Sequence, residues 1–101
     1  MWRIISKELR MTYKIIYLES YNKKAAKFLK KHKDLQKQYE KTLKLLELDP
    51  YHPSLRLHKL KGRLEGIYSV SINITYRIVL DFIIEDSMLI LLDVGHHDEM
   101  Y

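Results

Sequence analysis

Apolar residues follow two different rhythms along this chain, and the change of rhythm divides it. Tyr13 to Leu18 (YKIIYL) is a short apolar, β-branched run and predicts a first strand. Tyr21, Ala25, Phe28 and Leu29 then fall at i, i+4, i+7 and i+8, one stripe of a helix that Ser20 can cap. Leu35, Tyr39, Thr42, Leu43 and Leu46 repeat the stripe after Asp34, a second candidate cap. Only His32-Lys33 separates the two, so an antiparallel helical hairpin is expected. Asp49-Pro50-Tyr51-His52-Pro53 ends it. Three strand-like runs follow: Ile67–Ile72, Thr75–Ile83 and Met88–Val94. The links at Asn73-Ile74 and Glu85-Asp86 are short, which predicts an antiparallel meander. The expected fold class is therefore α+β. An N-terminal strand, a helical hairpin and the meander form one mostly antiparallel four-stranded sheet with helices on one face.

Strand parity says which face does what. Tyr76, Ile78, Leu80 and Phe82 alternate onto one side, matched by Tyr68, Val70 and Ile72 on the strand before. The helical hairpin needs apolar cover, so it should pack there. Arg77, Val79 and Asp81 take the other side, with Ser69, Ser71 and Asp93, as a shallow polar surface. The last strand ends at its edge and delivers His96 and His97, which point in different directions.

Charge sharpens this outline. The chain of 101 residues suits one domain, and 18 Lys and Arg against 13 Asp and Glu make it basic. Such a surface favours a polyanion or an acidic partner. Between residues 22 and 44, nine lysines face only Asp34 and Glu40, more than solubility requires. The hairpin thus reads as a phosphate-tracking face, against the plainer reading of a solvated helix surface. A hydrophobic share of 47% fits a folded protein, and without cysteine neither a disulfide nor a thiolate metal site forms. No apolar run reaches the roughly 18 residues of a membrane span, and the N-terminus lacks a signal-peptide pattern. A cytoplasmic location is expected, with no cofactor.

His97 leads the candidates for chemistry, as a histidine just past a strand end on a polar face. RNA cleavage by internal attack needs one group to take the 2′-OH proton and another to protonate the leaving 5′ oxygen, each contributing about 10²–10⁴-fold. A tail histidine without a role is the plain alternative. Arg77 can hold a phosphate and offset the charge of the phosphorane, or form a salt bridge with Asp81 or Asp93. A basic loop runs Arg56, His58, Lys59, Lys61, Arg63, with Gly62 and Gly66 as flexible points. Its cations can bind RNA phosphates or simply be solvated; His58 can act as a second acid or base, or pack within the loop. Tyr101 can stack on a base, or fray. Glu99 can orient His97. Asp98 and Glu99 beside the histidines keep a metal conceivable, although adjacent histidines on an extended segment face apart; no metal is expected.

These residues carry a resemblance. His58-Lys59-Leu60-Lys61-Gly62, then Ser69-Val70-Ser71-Ile72-Asn73 with Tyr76-Arg77-Ile78, then Gly95-His96-His97-Asp98-Glu99-Met100-Tyr101 come in the order of the RelE/ParE toxin superfamily. The ending resembles its YafQ-like branch and the middle its RelE- and HigB-like members. The resemblance covers residues 12–101, read as a single RelE-like toxin domain; residues 1–11 stand outside it as a candidate N-terminal extension. It implies the toxin of a type II toxin–antitoxin system, a metal-independent, ribosome-dependent endoribonuclease that cleaves mRNA and is neutralised by a cognate antitoxin. Operator DNA would be met only through the antitoxin complex. By position, His97 matches the C-terminal catalytic histidine, Tyr101 the terminal aromatic, Arg77 the phosphate-stabilising arginine and His58 the loop histidine. Lys59 and Lys61 match the basic surroundings of that loop. The acidic and histidine residues of the YafQ-like second strand are replaced by Ser69 and Ser71, which leaves His58 as the general base, with Glu99 or Asp81 behind it. The alternatives are a ParE-like inhibitor of DNA gyrase and a non-catalytic RNA-binding homologue.

Overall fold

A computed structural model describes residues 12–60 and 66–97. Strand β1 (Lys14–Tyr17) leads into helix α1 (Glu19–Lys31), a 3-10 turn (Lys33–Leu35) and helix α2 (Gln36–Leu48). After a second 3-10 turn (Pro53–Leu55) come β2 (His58–Lys59), β3 (Ile67–Ser71), β4 (Tyr76–Ile83) and β5 (Met88–His96). The sheet order is β1-β5-β4-β3-β2, with β1 parallel to β5 and every other pairing antiparallel.

The expected four-stranded sheet is corrected to five strands. The extra one is β2, inside the segment read as a basic loop: His58 pairs with Ser69 and Lys59 with Tyr68. Two residues give no readable alternation, so only tertiary pairing reveals them. The helix starts are also corrected. Neither Ser20 nor Asp34 caps: α1 starts after Leu18 and α2 after Leu35, both without a side-chain cap bond. Glu19 in the first turn of α1 and Lys30 and Lys31 in its last instead complement the helix dipole.

The hairpin covers one sheet face, as its stripes require. Tyr21, Ala25 and Phe28 from α1 and Tyr39 and Leu46 from α2 are buried against Val70, Ile72, Ile78, Leu80, Phe82, Leu89 and Leu91. The two helices are tied by the buried hydroxyls of Tyr21 and Tyr39, 2.6 Å apart. Burial, then the neighbouring Tyr39, pushes the Tyr21 phenol far up, so it stays neutral. On the opposite face a much smaller cluster forms, Leu60 and Val79 with Ile67 and Leu92 around them.

One irregularity in β5 decides which histidine goes where. Val79 pairs with Asp93 but Leu80 pairs with Leu91, so Leu92 is an extra, bulged residue. Leu91 and Val94 both belong to the helix-side core, three positions apart, which strict alternation forbids. The bulge resets the phase: His96 pairs with Tyr76 on the helix side, and Gly95 pairs with Arg77 on the other.

Candidate functional site

On the face away from the helices, Arg56, Leu57, His58, Arg77 and His97 line one open cavity of about 350 Å³. Four segments contribute. The residues before β2 bring Arg56 and Leu57, and β2 brings His58, opposite Ser69 of β3. β4 supplies Arg77, and the chain just past β5 supplies His97. His97 is held at the sheet by its backbone N–H, which donates to the Thr75 carbonyl at 2.8 Å. Thr75 is fixed in turn by Asn73, whose Oδ1 accepts from the N–H groups of Thr75 and Tyr76 at 2.9 and 2.8 Å.

Arg77 is 9% exposed, and it is oriented from below. Its Nε donates to Ser69 Oγ at 2.9 Å, and its Nη2 donates to the Arg56 carbonyl at 2.8 Å and the Ser69 carbonyl at 3.5 Å. Arg56 presents that carbonyl from a left-handed backbone (φ 51°), costly for a residue with a Cβ. The turn before it is built by His52, whose Nδ1 accepts from the Ser54 N–H at 3.2 Å, with Pro53 fixing the first residue. The polar face is thus less open than its sequence suggests. Ser69 and Ser71 are buried, Ser69 beneath the Arg77 guanidinium and beside His58 of β2. Ser71 Oγ donates to the Asn73 carbonyl.

The structure therefore brings together His97, Arg77, His58 and Arg56. Lys59 is exposed but pairs with Tyr68, whose ring packs on the helix-side core, so it alternates away from the cavity. Lys61, Arg63, Glu99 and Tyr101 lie outside the described residues, as does the candidate extension at 1–11. Asp93 leaves the polar face: its carboxylate stands 3.9 Å from Lys24 Nζ of α1 and accepts from the Val94 N–H. Asp81 sits by Gly66, whose positive φ (91°) lets the chain turn into β3. Among the described residues no three His, Cys, Asp or Glu side chains converge as a metal site. Sequence reasoning missed the Arg56 carbonyl and the Ser69 hydroxyl as holders of Arg77; the SxS pattern on β3, facing Arg77, was the available signal.

Solved structures share this architecture. YafQ in the Escherichia coli DinJ–YafQ toxin–antitoxin complex superposes with a TM-score of 0.72 at 20% identity, over 89% of this chain and 98% of that one. A copper-bound mutant toxin from Helicobacter pylori gives 0.60 at 26%, over 88% and 99%. This chain has the RelE/YafQ-like toxin fold. A YoeB/ParE toxin from Agrobacterium tumefaciens shares the RelE/YafQ-like fold at TM-score 0.64 and 15% identity, over 83% and 98%. No protein-family model matches the sequence, and no curated protein does. No helix among the described residues is long and apolar enough to cross a membrane.

Proposed function

We propose that this chain is the toxin of a type II toxin–antitoxin system, a ribosome-dependent endoribonuclease acting on mRNA in the cytoplasm. The observation that carries this reading is the convergence of His58, Arg77 and His97 on one cavity. The toxin fold supports it, and DinJ–YafQ being a toxin–antitoxin complex supports a cognate antitoxin here. That antitoxin is expected to be acidic, because it must cover a basic cleft.

In the proposed reaction, His58 takes the proton of a ribose 2′-OH, and the oxygen attacks the adjacent phosphorus. The bond to the 5′ oxygen breaks as His97 protonates that leaving oxygen. The products are a 2′,3′-cyclic phosphate and a 5′-OH, and each imidazole returns to its starting state by exchanging a proton with water. Arg77 offsets the extra negative charge of the phosphorane, its plane already oriented by Ser69 and the Arg56 carbonyl. A group held before the charge develops costs no reorganisation when it does. Arg56, with Lys61 and Arg63 of the basic loop, holds flanking phosphates, and Tyr101 stacks near the cut. Side chains alone move the proton in this scheme, so no metal ion takes part.

His97→Ala is expected to lower mRNA cleavage in a translating extract by about 10²–10⁴-fold, with antitoxin binding and folding retained. Primer extension reads the cuts, and cleavage is expected to persist in EDTA. Undiminished cleavage in His97→Ala would remove the histidine from the mechanism. Growth arrest with DNA-damage signalling and uncut transcripts would instead favour a ParE-like gyrase inhibitor.

A further inference from the structure

A second cavity, about 710 Å³, opens on the helix-covered side between α1 and the ends of β4 and β5. It shares no lining residue with the cavity of His58, Arg77 and His97, although His96 and His97 are neighbours in the chain. Lys24, Lys27 and Lys31 stand along its helical wall at i, i+3 and i+7, spread over about 10 Å of helix axis. The floor is a cluster of rings. The centroids of Phe28 and His32 lie 4.7 Å apart, those of His32 and Tyr76 4.6 Å, and those of Tyr76 and His96 5.7 Å. His32, Tyr76 and His96 are each half-buried, packed on one side and open to the cavity on the other. Asp93 closes one end, near Lys24.

We propose that this cavity is a second nucleic-acid site, one that holds a nucleotide of single-stranded RNA away from the cut. The inference rests on the RNA-cleaving reading above and deepens it. Each feature matches one part of the ligand. Lysines spaced along a helix track successive phosphates, and half-buried rings offer a base a stacking surface that tolerates any sequence. Asp93 selects between polyanions. Its carboxylate, which takes one hydrogen bond from the Val94 N–H, can also accept from a ribose hydroxyl or an exocyclic amine, donors that a glutamate side chain does not offer.

The test reads binding, so it is independent of catalysis. A fluorescein-labelled single-stranded RNA decamer is titrated onto the full chain carrying His97→Ala, which keeps the probe whole, with anisotropy as the signal. The double variant Lys27→Ala/Lys31→Ala is expected to lower the slope of log affinity against log salt by roughly 0.7 per lysine removed. His32→Ala, which strips a half-buried ring without opening the core, is expected to weaken binding roughly tenfold at unchanged slope. Polyglutamate and inorganic phosphate are expected to compete poorly. Pocket variants that bind the decamer like their parent would overturn the inference, as would a parent that does not bind it. Polyglutamate competing as well as RNA would also overturn it and mark an acidic-protein surface instead. A chain that binds the decamer through this cavity but cuts no transcript keeps this site and loses the nuclease. One that cuts, with pocket variants that bind normally, loses only this site.

Discussion

The two faces of the sheet are held together by different means. On the helix side a large apolar core does the work, with one buried polar pair, Tyr21 and Tyr39, at its centre. On the other side the apolar cluster is small, and a guanidinium held by a serine and two backbone carbonyls takes its place. Both faces are built from alternate residues of the same strands. Apolar burial is non-directional, whereas a hydrogen-bonded arginine fixes an orientation as well as a position. The weaker-packed face is therefore the one that can aim a charge.

Leu80→Ala should have the largest effect on stability. It empties a fully buried helix-side position and is expected to cost about 2–5 kcal/mol. Val79→Ala, one residue away on the opposite face, should cost only about 1–2 kcal/mol, the burial of its lost methyl groups. Urea denaturation compares them, and equal losses would break the contrast between the faces. Ser69→Ala comes next. It removes the acceptor for Arg77 Nε inside a buried network and is expected to cost about 1–3 kcal/mol. Cleavage should fall along with stability, because the guanidinium loses its alignment; stability lost with full cleavage would mean that Arg77 is structural only.

Tyr21→Phe should be the smallest change, about 1 kcal/mol at neutral pH. Its signature lies in alkali. Burial raises the Tyr21 phenol above its ordinary value of 10.0, so the folded chain holds that proton more tightly than the unfolded one. The contribution is complete below pH 10 and drains away as the pH climbs above it. The parent should lose stability over that range more steeply than Tyr21→Phe, as thermal unfolding at several alkaline pH values would reveal. Identical alkaline slopes would put the titration elsewhere.

Much of this architecture was legible in the sequence, and the gaps have a common cause. The helical stripes and the parity of β4 named the main core, because periodicity records which side of an element is covered. Parity also placed Arg77 on the polar face, while His96 and His97 were set apart only as neighbours on an extended segment. What stayed hidden depends on partners remote in sequence. β2 exists only because His58 and Lys59 find β3. The Arg56 carbonyl reaches Arg77 from 21 residues away. Asp93 reads as a polar-face residue and pairs with Val79 of that face, yet its carboxylate reaches Lys24 of α1.

That bulge has a consequence for how the chain is compared with its relatives. Leu92 acts as a frame-shift written in the backbone: upstream of it odd-numbered positions look toward the helices, downstream even-numbered ones do. A relative lacking this single residue would need no bulge: its strand would alternate without a break, and both imidazoles would keep their addresses. An alignment with its gap placed at Leu92 keeps each histidine on its own face, whereas one without a gap pairs residues that look in opposite directions. In this chain, the count of residues from the bulge says which face His96 and His97 occupy better than the letters themselves.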